Sequence, residues 1–108
     1  MHAPAHQQIV VTLSEAAIAA IGRAVAGVEA HNPIVQKQAV DQARQAIAEL
    51  RALVDCDAAE TTAHRLVEIY DFIDQHLVRA GHAGDAQGLR ETAGLLEELN
   101  QSWKFISC

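Results

Sequence analysis

Residues 32–54 read NPIVQKQAVDQARQAIAELRALV, and this run decides the fold. Asn32 offers a side-chain acceptor suited to capping a helix. Pro33 suits the first helical position, where an amide would find no partner anyway. Val40, Ala43, Ile47, Leu50 and Val54 then recur at alternating three- and four-residue intervals, the period of one helix face. The pattern predicts a helix over 33–54 that buries a single stripe.

The flanking sequence repeats the signature. Thr12 and Glu15 have capping-box spacing, and Ile18, Ile21, Val25 and Val28 follow at helical intervals. A helix over 13–30 is expected, ended by His31-Asn32. Residues 1–11 show no helical period and read as an extended arm, with Ile9, Val10 and Val11 able to pack. Asp57 and Glu60 open a helix over 58–80 with the stripe Leu66, Tyr70, Ile73 and Leu77, bounded by Gly81 and Gly84. Asp85 opens a helix over 86–106, with Leu89, Thr92, Leu96, Leu99, Trp103 and Ile106 on one face. Short connections make sequential helices antiparallel neighbours. The expected fold is all-α: one domain over 1–108, an antiparallel up-down-up-down four-helix bundle with an extended N-terminal arm.

Composition agrees. Half of the 108 residues are apolar but only 4% are aromatic, so the core is aliphatic. The net charge is −6, and it is unevenly placed. Residues 1–54 hold four basic and four acidic side chains, and residues 55–108 hold four basic and ten acidic ones. Nucleic-acid binding needs a basic footprint, which this chain lacks. A basic or weakly polar partner is better received. Cys56 and Cys108 are too few for a disulfide framework, so a reducing compartment is the default. No apolar run approaches the ~18 residues of a membrane span, and Met1 to Gln8 lacks the form of a signal peptide. A cytosolic protein without membrane insertion is expected.

A search for chemistry finds little. Di-iron bundles need Glu-x-x-His on two helices, and that spacing does not occur. Glu60, His64 and Glu68 share a face but form an incomplete ligand set. Cys56 lies between Asp55 and Asp57, where negative charge disfavours the thiolate. No glycine-rich phosphate loop is present. His64 stands in an Ala-His-x-Leu context shared with histidine phosphotransfer domains, but Val67 and Glu68 replace their Lys and Gly. The chain is read as non-enzymatic, with no catalytic residues, metal or cofactor.

Surface binding is the alternative to chemistry. At 100° per residue, Val67, Phe72 and Val78 fall off the Leu66–Leu77 stripe. Leu95 flanks the last helix's stripe, and Phe105 lies nearly opposite it. Such residues suit a wide core face, an oligomer contact, or a groove for an amphipathic partner helix.

The third and fourth helices carry a resemblance. Leu66-Val67-Glu68-Ile69-Tyr70-Asp71-Phe72-Ile73 is followed by Leu77, Ala80, Asp85 and Leu89. Glu91, Leu95-Leu96-Glu97-Glu98-Leu99 and Trp103 complete the set. This resembles the FliS family signature L-x-x-[IL]-Y-D-[YF]-[IL], then A-x-x-x-x-D and L-L-x-E-L-x-x-x-W. Ala43 to Leu53 fits the family's preceding helix. The N-terminal third departs from the pattern: Val11-Thr12-Leu13-Ser14-Glu15 keeps part of the family's entry and lacks its proline. The resemblance implies a bacterial cytosolic chaperone that binds the C-terminal segment of flagellin, or of a related secreted filament subunit. It would prevent premature polymerisation and deliver its cargo to the flagellar type III export apparatus. The cargo would wrap the bundle along apolar grooves, partly as helix and partly extended. On this reading the partner-binding candidates are Ile18, Ile21, Val67, Phe72, Val78, Leu95 and Phe105, while Tyr70 and Trp103 belong to the core. A histidine phosphotransfer module using His64 and a structural homodimerisation module remain the alternatives.

Overall fold

In the computed structural model of the protein, residues 3–54 and 60–102 are described, with side chains over 8–54 and 63–102. Four helices follow one another: α1 (Ala3–Glu29), α2 (Pro33–Leu53), α3 (Glu60–Ala83) and α4 (Ala86–Ser102). No strand occurs among the described residues. Each helix packs on its sequence neighbours, and α4 returns to α1. Cross-helix pairs give the directions. Arg44 meets Asp74 and Arg51 meets Asp71, so α2 and α3 run antiparallel. Arg90 at the start of α4 meets Glu29 at the end of α1, so α4 and α1 do too. This is the expected antiparallel four-helix bundle.

The expected stripes form the core. Val40, Ala43, Ile47, Leu50 and Val54 are buried from α2 and its cap, with Leu66, Tyr70, Ile73 and Leu77 from α3. Leu89, Thr92, Leu96 and Leu99 join them from α4. Thr92 is tolerated there because its hydroxyl donates to the Gly88 carbonyl at 2.9 Å. Trp103, Ile106 and Asp57 lie outside the described residues.

α1 differs from its expected form. It begins at Ala3, so residues 3–11 continue the helix instead of forming an extended arm. Thr12 and Glu15 are therefore interior helical residues and not a capping box. The physical reason is a second, quieter stripe: Val10, Ser14, Ala17, Ile21 and Ala24 are all buried, at intervals of four, three, four and three. Small residues on this stripe let α1 approach α2 and α4 closely. Its large residues Ile18, Val25 and Val28 sit at the margin of the core.

The span Gln8–Glu29 is also long and apolar enough to cross a membrane, which corrects the expectation that no such run exists. A core helix of a bundle meets the same test of length and composition, and α1 carries its buried stripe into this core.

The two described turns share one construction. His31 adopts φ 55°. Its amide donates to the Val28 carbonyl at 3.1 Å, and the Asn32 amide donates to Gly27 at 2.8 Å. This is a left-handed Schellman end. Asn32 then caps α2, its Oδ1 accepting from the Val35 amide at 3.2 Å. At the end of α3, Gly84 takes φ 66°, and the Asp85 amide donates to Ala80 at 2.9 Å. Asp85 Oδ1 accepts from the Gly88 amide at 3.1 Å. In both turns one residue closes a helix and caps the next, which holds each connection to three or fewer residues. α3 runs three residues past its expected end, because Gly84 and not Gly81 supplies the left-handed residue.

Candidate functional site

α3 separates two grooves, and its side chains differ between them. On the α2 side the seam is closed by paired charges. Arg44 Nε and Nη2 donate to the two carboxylate oxygens of Asp74 at 2.9 and 3.1 Å. Arg51 grips Asp71 in the same way at 2.7 and 3.3 Å. These hydrogen bonds hold both guanidinium groups above their ordinary pKa. Two clefts flank the pairs. One, of about 280 Å³, lies by the turns and is lined by Pro33, Gln36, Val40, Val78 and Gly81. The other, of about 550 Å³, lies at the far end and is lined by Arg51, Val54, Ala63, His64 and Val67. Val67 and Val78 thus belong to opposite ends of one seam.

On the α4 side of α3 large apolar side chains also reach solvent. Phe72 is 58% exposed, and its ring stacks on His76 with centroids 6.1 Å apart and planes 13° from parallel. Ile69, one turn before Phe72, is also exposed. His76 Nε2 lies 3.8 Å from Glu91 Oε1, which sets the register of α3 against α4. Phe72 is four residues before His76 and Leu95 four after Glu91, so the antiparallel pair brings Leu95 level with Phe72. Leu95 is half-buried and packs against the core. Phe72 and Leu95 therefore stand at the same level of the bundle, while Val67 and Val78 face the other way.

The α1 candidates separate as well. Ile18 is half-buried at the margin of the core. Ile21 has no exposed surface, so it is a core residue and not a groove residue in this structure. The stripe of small residues on α1 turns it inward, which a reading weighted towards large apolar residues misses. Phe105, Cys56 and Cys108 lie outside the described residues. Ile69 was missed as an off-stripe position, although it stands inside the quoted signature. Ile34, 70% exposed at the start of α2, was missed too; the doublet Ile34-Val35 ahead of the α2 stripe was its signal.

Among the described residues no three His, Cys, Asp or Glu side chains gather as metal ligands. His64 is exposed on α3 and lines the far cleft of the α2 seam. What the geometry offers is a solvent-facing apolar strip on a rigid helix pair, suited to holding another chain by its side chains.

Comparison with known proteins places the chain among relatives. A family model described as flagellar protein FliS matches residues 1–107. The flagellar secretion chaperone FliS of Salmonella typhimurium (strain LT2) is 32% identical over 108 residues, covering 99% of this chain and 79% of that protein. The match takes in α1, whose departures from the signature are therefore variation within the family. The chain belongs to the FliS family of flagellar proteins.

Proposed function

We propose that this chain is a cytosolic, non-enzymatic export chaperone that binds the C-terminal segment of flagellin or of a related secreted filament subunit. It keeps that segment from polymerising and passes it to the flagellar type III export apparatus. The observation that carries this reading is the exposed Phe72, flanked by Ile69 and level with Leu95. A large aromatic side chain left in water on a rigid helix is what an apolar partner would cover. The named activity of the Salmonella relative supports the flagellar setting.

The mechanism needs no nucleotide. An amphipathic cargo segment lays its apolar face on the α3–α4 strip, and burial of that face removes it from self-association. At about 25 cal/mol per Å², covering some 400 Å² of apolar surface corresponds to about 10 kcal/mol before the cost of ordering the segment. The net result is expected in the micromolar range or tighter. Val67 and Val78 supply further contacts where cargo wraps over α3 onto the α2 seam, and Ile18 does so along α1.

Isothermal titration calorimetry with the C-terminal peptide of flagellin from the same genome tests the reading. A one-to-one complex is expected. No heat at tens of micromolar (about −6 kcal/mol) removes flagellin as cargo. A homodimer in light scattering with no cargo affinity favours the dimerisation reading instead.

A further inference from the structure

The two sides of α3 treat charge in opposite ways. On the α2 side every arginine is engaged: Arg44 with Asp74 and Arg51 with Asp71. On the α4 side the charges are left open. Arg65 and Arg79 are exposed on α3, and Glu98 is exposed on α4. None of the three makes an ion pair among the described residues. Among the described residues Glu91 reaches only His76, at 3.8 Å.

These charges are ordered. Arg65, Phe72 and Arg79 stand at seven-residue intervals and share one edge of α3. Glu91 and Glu98 stand seven apart on α4. Ile69, His76 and Leu95 lie between the two rows. This groove between the helices thus has a floor of Ile69, His76 and Leu95, one wall on which Phe72 stands between two arginines, and a facing wall with two glutamates. The rows do not neutralise one another because they are out of step. The register set by His76 and Glu91 places Arg79 and Arg65 about a turn beyond Glu91 and Glu98 towards either end, level with Gly88 and Ser102.

We propose, resting on the chaperone reading above, that the α3–α4 groove accepts one amphipathic helix and fixes its direction by charge. The partner presents apolar residues at i, i+3 or i+4, and i+7 to Ile69, Phe72 and Leu95. It carries acidic residues along the flank that faces Arg65 and Arg79, and basic residues along the flank that faces Glu91 and Glu98. Turning such a helix end for end keeps its apolar face down and exchanges its flanks. The reversed pose then sets like charges against each other on both walls, so the groove discriminates between two poses that its apolar residues alone would accept equally. From Arg65 to Arg79 the wall is about 21 Å long, which matches roughly four turns of partner helix.

The test uses the full chain and the cognate flagellin C-terminal peptide at low salt. Arg65→Glu with Arg79→Glu reverses one wall, and Glu91→Lys with Glu98→Lys reverses the other. All four substitutions together reverse both walls while leaving the net charge of these positions unchanged. All four sites are exposed, and circular dichroism checks that each variant remains folded. Each single-wall variant should bind about tenfold more weakly. The four-fold variant should recover most of that loss, because the peptide can turn around. Less than a twofold change for either wall, with tight binding by the wild-type chain, overturns charge selection and leaves the chaperone reading intact. Losses that add in the four-fold variant overturn it too. No binding by the wild-type chain sinks both.

Discussion

Gln36 of α2 donates its side-chain amide to the carbonyl oxygen of Gly81 in α3 at 2.6 Å, a part-buried contact across 45 residues of sequence. It joins the two turns at one end of the bundle, since Gln36 lies just after the Asn32 cap and Gly81 just before the Gly84 turn. Gln36→Ala removes this link and should cost about 1 kcal/mol. The check is the midpoint of urea unfolding, which should fall with little change in slope.

The glycines divide into two groups with opposite expected responses. A Cβ on Gly27 would meet the Gln36 backbone nitrogen at 2.8 Å, and one on Gly81 would meet Val40 Cγ2 at 2.8 Å. Gly27→Ala and Gly81→Ala should each destabilise by about 1–3 kcal/mol through overpacking. Gly22 and Gly94 have nothing within 4 Å of the same position. Gly22→Ala and Gly94→Ala should stabilise by about 0.5–1 kcal/mol each, because alanine loses less chain entropy in a helix. Thermal unfolding of the four variants measures both signs.

Much of this was legible in the sequence, and what was not has physical causes. α2 could be read from Asn32-Pro33 and its stripe because local capping and core burial agree there. The start of α1 could not be read. Ile9-Val10-Val11 presents three apolar residues in a row and hides which one faces inward, and the spacing of Thr12 and Glu15 mimics a cap. Core positions filled by Ala17, Ala20 and Ala24 leave no hydrophobic signal as strong as Ile18, which ends up only half-buried. Phe72 was legible as a residue off its stripe. Its pairing with Leu95 needed the register of α3 against α4, which only the packed helices supply.

Arg51 and Asp71 form a bidentate pair that stays about half exposed at both ends. A double-mutant cycle with Arg51→Ala and Asp71→Ala should give only a small coupling, which shrinks further in high salt. A large coupling that survives high salt would mean that the pair holds the α2–α3 seam shut more firmly than its exposure suggests.

Core and surface positions on α3 should separate stability from binding. Leu77 is fully buried, and Leu77→Ala should cost about 2–5 kcal/mol. Phe72 is mostly exposed, and Phe72→Ala should change unfolding by less than about 1 kcal/mol. Denaturant titration of both variants makes the comparison.

The most direct measurement is calorimetry of the flagellin C-terminal peptide with the wild-type chain and with Phe72→Ala. A one-to-one complex is predicted for the wild type, with affinity reduced at least tenfold by Phe72→Ala and unfolding nearly unchanged. Equal affinity for the two proteins would contradict the assignment of the cargo seat to the strip where Phe72 stands level with Leu95.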